Sequence, residues 1–355
     1  MQSYKKDFIS IIRLGIGHPA SFPVEMNWAQ IENLAARHGL SAILIDGIEK
    51  LPEGKRPPKE VLLQWIGETL QGYEYRFELY QRNIAELAGW YYTNGYKMMV
   101  LKGYACSINW PKPNHRPCGD IDIWLFGGQK EADALIAEEK GIKVDNSHHH
   151  HTVFDWRGFT VENHYDFVNV YAHKSSRELE KIFKELGQDD SHSVQVYGEK
   201  VYLPSPNLHA LFLIRHMVSH FAAAGISLRH VLDWAFFVEK HSREIDWSWL
   251  LIMMDIYHMK QFFDCIIAIC VEDFGFAPNL FPYVQSSCAL KDIVLADILE
   301  PEYTAGEPKG FVGRLVYRYR RWQGNAWKQE MCYGESRWSE FWSGIWAKIL
   351  KPSSI

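Results

Sequence analysis

At 355 residues the chain is long enough for two or three structural units, and its 47% hydrophobic and 23% charged composition is that of a globular protein with a buried core. A formal net charge of -5 excludes a surface built to coat nucleic acid, while leaving room for a local basic groove. Six cysteines, at 106, 118, 265, 270, 288 and 332, form no CxxC pair and no regular disulfide framework, and with no signal peptide to read they fit a reducing cytoplasm. The most apolar run, Phe262 to Val271, contains Asp264 and is too short to span a bilayer, so no transmembrane segment is expected.

Residues 1–95 read as an N-terminal helical region. Asn27 is placed to cap a helix whose Ile31, Leu34, Ala35 and Leu40 recur at helical spacing, with Gly39 as a break. The stretch from Pro52 to Pro58 stops this pattern, and a longer helix is expected from about Lys59 to Asn94, ending at Gly95. Residues 96–204 change character, with short apolar strands punctuated by Gly and Pro. Met98 to Leu101 reads as a strand, Lys102-Gly103 as a turn, and Gly119-Asp120-Ile121-Asp122 as the opening of a second strand. A helix is expected over Lys130 to Lys140. HTVFDW and FTVENHYDF, joined at Arg157-Gly158, read as one hairpin, and Ser193 to Leu203 as another turning at Gly198-Glu199. From Ser205 to the end, residues 205–355, helices dominate again, including Leu228 to Glu239 and an Arg- and Trp-rich segment from Gly310 to Leu350.

The chemistry concentrates in the central region. Side chains two apart on a strand share a face, so Asp120 and Asp122 point one way while Ile121 and Ile123 point to the core. Paired carboxylates on one face repel unless a cation lies between them, which makes the pattern a divalent-metal candidate. An exposed strand end is the plainer alternative. Glu162 and His164 share a face of a later strand, and a third carboxylate there is what a two-metal phosphoryl-transfer site needs.

LKGYACSINWPKPNHRPCGDIDIWL, followed by FTVENHYDF, resembles the bacterial uncharacterised nucleotidyltransferase family of the DNA polymerase beta-like nucleotidyltransferase superfamily. The likeness extends over the N-terminal helices, the helix around His216 and His220, and LRHVLDW. It implies an α+β fold, a mixed-sheet nucleotidyltransferase core at 96–204 flanked by helical regions at 1–95 and 205–355. The implied activity moves a nucleoside monophosphate from a nucleoside triphosphate such as ATP to an acceptor, with pyrophosphate release. The acceptor class, whether protein, sugar, small molecule or RNA, is left open. By the resemblance Asp120, Asp122 and Glu162 are the catalytic carboxylates and hold two Mg²⁺ or Mn²⁺ ions, and Glu162 helps deprotonate the acceptor. Lys102, Gly103, Arg116, Gly119 and His164 form the nucleotide-binding set, with Arg116 as a bidentate fork, Lys102 as a point charge and Gly103 letting the backbone approach the triphosphate. The chain departs from the pattern at Tyr104, where a small residue is usual, and in the longer interval from Gly103 to Asp120. The other reading of the same fold is a catalytically inactive nucleotide-binding or regulatory relative, and a third is a metal-dependent phosphohydrolase.

Three features stand outside this set. His148 to His151 read as a polar loop or strand entrance, since four consecutive imidazoles cannot all face one ion. His216 and His220 have the helical spacing of a metal pair but lack a metalloprotease Glu, and read as packed histidines. The C-terminal Arg314, Arg318, Arg320, Arg321, Trp322, Trp327, Trp338, Trp342 and Trp346 read as a tail packed through its tryptophans, or as a surface for an anionic partner.

Overall fold

The computed structural model describes residues 2–21, 26–171, 173–283, 288–302, 308 and 310–334. Among the described residues the strands are β1 (Met99–Val100), β2 (Ile121–Trp124), β3 (His151–Trp156), β4 (Phe159–His164), β5 (Ser193–Val196) and β6 (Glu199–Tyr202), arranged in the order β3-β4-β2-β1-β6-β5. β1 runs antiparallel to β2 and parallel to β6, β2 runs parallel to β4, and the two outer pairs are antiparallel hairpins. The sheet is therefore mixed and the fold is α+β, as expected.

Two compact units divide the chain, one of residues 1–69 with 214–339, the other built on residues 70–213. In the first, Asn27 caps the helix Trp28–His38 through a bond from Gln30 N at 3.2 Å, and Gly39 ends it in the left-handed conformation (φ 67). Ser227 and His230 cap Leu228–His241 reciprocally. Cys265 and Cys288 are paired as a disulfide with Cα atoms 5.4 Å apart, which corrects the expectation of scattered thiols. Cys106, Cys118, Cys270 and Cys332 lie outside any disulfide. The C-terminal segment forms helices Phe311–Gly324 and Ala326–Tyr333, while Trp338, Trp342 and Trp346 lie outside the described residues. No helix among the described residues is long and apolar enough to cross a membrane.

The helix expected from Lys59 to Asn94 is instead Lys59–Thr69, a π-helical segment Leu70–Tyr75, and Arg76–Thr93. A π turn inserts a residue without changing which residue types are apolar, so spacing alone does not reveal it. Arg76–Thr93 belongs to the sheet-bearing unit and supplies Phe77, Tyr80, Ile84, Leu87 and Tyr91 to its core. Ile121 and Ile123 of β2, Val161 of β4 and Phe154 of β3 meet them there, all nearly inaccessible to solvent. The alternation of strand side chains then sends Asp122, Glu162 and His164 to the opposite face.

Both hairpins use two-residue turns with positive φ at each position, which matches the twist of the flanking strands. Arg157 (φ 54) and Gly158 (φ 83) turn where expected. The second turn lies at Tyr197 (φ 48) and Gly198 (φ 88), one residue before the expected Gly198-Glu199, because Glu199 already pairs with Val196.

Beneath the helix Gln129–Lys140, the core face carries a buried polar network that residue order does not single out. Asp133 Oδ1 accepts from Asn163 Nδ2 at 2.8 Å, and its Oδ2 accepts from Thr152 Oγ1 at 2.8 Å and from Gln129 Nε2. Burial pushes the Asp133 carboxyl up, and these three bonds oppose the shift. Asn163→Leu removes one donor from a buried acid and is expected to cost about 1.5–3 kcal/mol, the range for a hydrogen bond to a charged group. Urea unfolding of the variant checks this, and a loss within error of zero would show that the network carries no stability.

Candidate active site

The register of three strands assembles the site. β2 and β4 lie side by side with Asp122 opposite Glu162 and Trp124 opposite His164. β3 brings His151 opposite His164 on the other side of β4. Directly paired residues share a sheet face, so Asp122, Glu162, His164 and His151 project together. Trp124, on the same face, anchors the lower end by donating from Nε1 to Gly187 O at 3.1 Å and packing on Phe167 with ring centroids 4.6 Å apart.

Asp122 is buried, at 2% exposure, and two groups converge on its Oδ1: Lys102 Nζ at 2.6 Å and His164 Nε2 at 3.1 Å. Lys102 reaches it because Leu101, just past β1, donates its backbone N–H to Asp122 O at 3.0 Å, carrying the next residue over the site. Burial alone would raise the Asp122 carboxyl, but the Lys102 ammonium and His164 hold it well below the usual carboxylate range. Burial likewise opposes the Lys102 charge, and the carboxylates of Asp122, Glu162 and Asp120 together more than offset it, so the ammonium is held above its ordinary value.

Glu162 is half-buried, with its Oε2 3.7 Å from His164 Nε2 and its Oε1 3.8 Å from His151 Nε2. Burial, followed by the negative charge of Asp122, pushes its carboxyl up to about 8. Two carboxylates in one partly buried site with their proton affinities driven apart hold either a proton or a cation between them. Asp122, Glu162 and His164 each offer one ligand atom within 4.8 Å of the others, and oxygen ligands of this kind suit a hard divalent cation.

The remaining expected residues are dispersed around this centre. Asp120 stands exposed just before β2, outside that three-residue group, and its charge is still felt by Glu162 and Lys102. Its backbone is fixed by the Tyr80 hydroxyl, which donates to Asp120 O at 2.8 Å. Gly103 adopts φ 51, and a Cβ there would stand 2.3 Å from the Tyr80 hydroxyl, so both the backbone and that contact demand glycine. Tyr104, the departure from the family pattern, is buried in the core against Phe77 with ring centroids 6.2 Å apart. Arg116 is buried and donates from Nη1 to Pro117 O at 3.2 Å. Gly119 is exposed and a Cβ there meets nothing within 4 Å, so no steric reason for glycine exists at that position.

Two contributors are not evident from the sequence. Tyr80 lies in the N-terminal helical stretch, where packing alone is expected; the signal available is its helix's return to the sheet. The Lys102–Asp122 pair depends on the register of β1 against β2, which residue spacing does not encode.

An antigenic nucleotidyltransferase-like protein from Paracoccidioides brasiliensis is a distant structural neighbour, 15% identical, covering 45% of this chain and 75% of its own, with a TM-score of 0.33. No curated protein is similar enough to this chain to match it. The sequence model of the family described as uncharacterised nucleotidyltransferase matches residues 25–275, well over half of the 355 residues, and the chain belongs to that family.

Proposed function

We propose that the protein transfers a nucleoside monophosphate from a nucleoside triphosphate to an acceptor hydroxyl, with release of pyrophosphate. The observation that carries the reading is the pairing of buried Asp122 with Glu162 across β2 and β4, two carboxylates whose proximity favours a cation between them. Asp122 and Glu162, with Asp120 at the strand entrance, would hold Mg²⁺ or Mn²⁺. Bound there, such ions neutralise triphosphate charge and lower the pKa of an attacking hydroxyl.

The chain's own residues supply the rest. Glu162, whose raised proton affinity suits a general base, takes the proton from the acceptor hydroxyl. Lys102 provides a positive charge that can turn from Asp122 to a phosphate oxygen. Tyr80 and Gly103 hold the backbone on both sides of the site in one geometry, so that positioning contributes as well as charge.

A second reading, a nucleotide-binding relative without turnover, is favoured by one observation. Asp122 Oδ1 already has both Lys102 and His164 upon it, so a metal must compete with an internal cation. One experiment separates the two. The protein is incubated with each α-labelled ribonucleoside triphosphate, Mg²⁺ or Mn²⁺, and a cell-extract acceptor pool, and both label transfer and pyrophosphate are read. Transfer with stoichiometric pyrophosphate is expected. Binding by calorimetry with neither product supports the second reading, and phosphate release without an acceptor points to hydrolysis.

A further inference from the structure

Beside the carboxylates lies a cluster of imidazoles, two of which, His150 and His151, have no part in the proposed transfer reaction. His150, His151 and His164 each offer one ring nitrogen within 4.8 Å of the other two. Their rings stand 4.4 Å (His150–His151), 5.5 Å (His150–His164) and 5.3 Å (His151–His164) apart between centroids. We infer that His150, His151 and His164 form a binding site for a borderline divalent transition metal of the Zn²⁺ or Co²⁺ kind, adjoining the carboxylate pair and going beyond the proposed transfer reaction.

Three features support it. First, the cluster is built by strand register, because β3 sets His151 opposite His164, and the backbone of His150 is held by Tyr165 N and Asp166 N, which donate to its carbonyl at 3.1 and 3.0 Å. Second, His151 is 7% exposed, and its Nδ1 and that of His150 are buried with no hydrogen-bond partner among the described residues. Buried polar atoms are nearly always satisfied, and an unsatisfied nitrogen lone pair is what a metal would take up. Third, His164 Nδ1 lies 3.2 Å from Asp166 O, a backbone acceptor. With a metal bound, a bond donated there would keep the proton on Nδ1 while Nε2 gives up its bond to Asp122 Oδ1 and turns its lone pair to the ion, the arrangement typical of metal-ligating histidines.

The charges around the cluster are mixed. Lys102 opposes a cation, whereas Asp122 and Glu162 favour one, and Glu162 reaches both His151 and His164 within 3.8 Å. Three imidazoles suit Zn²⁺ or Co²⁺ over Mg²⁺, and they leave a fourth position for Glu162, water or an oxygen of a bound molecule.

The test uses the full chain purified without a histidine tag, stripped with chelator, and titrated separately with Zn²⁺, Co²⁺ and Mg²⁺. One equivalent of Zn²⁺ or Co²⁺ is expected to bind, with Co²⁺ giving the strong visible absorption of a low-coordinate nitrogen-ligated ion. X-ray absorption of the Zn²⁺-loaded protein should show scattering from three imidazoles. His150→Ala with His151→Ala should weaken Zn²⁺ binding by at least about 100-fold, beyond the 10–100-fold typical of outer-shell partners. His148→Ala, at a half-exposed ring, should leave it unchanged. A metal environment of oxygens with one imidazole or none, or unchanged affinity in a folded double variant, overturns the inference. Should the double variant not fold, the absorption measurement on the parent chain decides alone. Each readout is independent of nucleotidyl transfer, so failure of that activity leaves this result standing.

Discussion

Glu162→Gln is expected to slow nucleotidyl transfer severely while making the metal-free protein more stable. The two effects share one cause. Glu162 is held close to Asp122, and its charged form is disfavoured first by burial and then by that neighbour. Gln keeps the shape and removes the charge, so it relieves the repulsion and also removes the proposed base and metal ligand. Transfer should fall by about 10²–10⁴-fold, the range for loss of a group acting in general acid–base catalysis. The stability effect has a definite pH dependence. A carboxyl whose proton affinity is raised from an unfolded value near 4.5 to about 8 binds more protons folded than unfolded between those limits. The parent protein therefore loses stability as pH rises through that window. Gln does not titrate, so the variant escapes that loss, and its advantage is absent below the window and fullest above it. Each pH step of one across the window is worth about 1.4 kcal/mol at most, and solvent at the partly exposed carboxyl reduces the total gain to a few kcal/mol or less. Thermal melts of both proteins across pH, in chelator, provide the check. Parallel pH profiles would show that Asp122 and Glu162 do not share the strain described, even if transfer were lost.

The sheet's two faces are legible in the sequence because alternation needs only residue order. Ile121 and Ile123 entering the core, and Glu162 sharing a face with His164, follow from a period of two, and both hold. The hairpin at Arg157-Gly158 is equally local. What residue order does not supply is register between strands distant in the chain. Asp122 opposite Glu162 requires β4 to lie parallel to β2, and Lys102 on Asp122 requires β1 to lie antiparallel on β2's other side. The same limit explains the histidines. Four in a row read as a polar strand entrance, and His151 does open β3, but its partner across the ladder is another histidine thirteen residues later.

Glycine illustrates how a motif and its physical reason come apart. The resemblance read from the sequence implies that Gly103 makes room for a phosphate, and the structure gives the glycine a separate necessity in the Tyr80 hydroxyl and a positive φ. Tyr104, an obstacle beside that glycine by the pattern alone, is turned into the core and leaves the face that bears the acids. The buried network of Asp133, Thr152 and Asn163 is hidden for a related reason. Polar residues at core positions break the apolar pattern, and only the arrival of a helix overhead reveals that they satisfy one another.

The Lys102–Asp122 pair carries the second large effect. Asp122→Asn is expected to lower stability by about 3 kcal/mol, the lower end of the 3–5 kcal/mol cost of breaking a buried pair from one side. The lower end applies because the Lys102 side chain retains 16% exposure, and because Glu162, freed from Asp122's charge, can ionise and partner the ammonium. Lys102→Met should be milder, since His164 Nε2 still faces Asp122 Oδ1 at 3.1 Å. Combining the two substitutions should recover much of the loss, because no charge is then left buried without its counterpart. Urea unfolding of the four proteins in chelator yields the coupling, and additive losses would mean that the pair is not an energetic unit. The same variants bear on function. In the parent, a divalent cation approaching Asp122 must displace Lys102 or share the oxygen with it. Lys102→Met removes that competitor, so Mn²⁺ binding, followed by paramagnetic relaxation or calorimetry, should strengthen by about 10-fold, a change of about 1.4 kcal/mol. Transfer should nonetheless fall, since the charge proposed to meet the triphosphate is gone. Tighter metal with slower transfer would identify Lys102 as a residue that alternates between holding Asp122 and holding phosphate. Unchanged metal affinity would show that the cation binds without disturbing this pair, and would move its ligands away from Asp122 Oδ1.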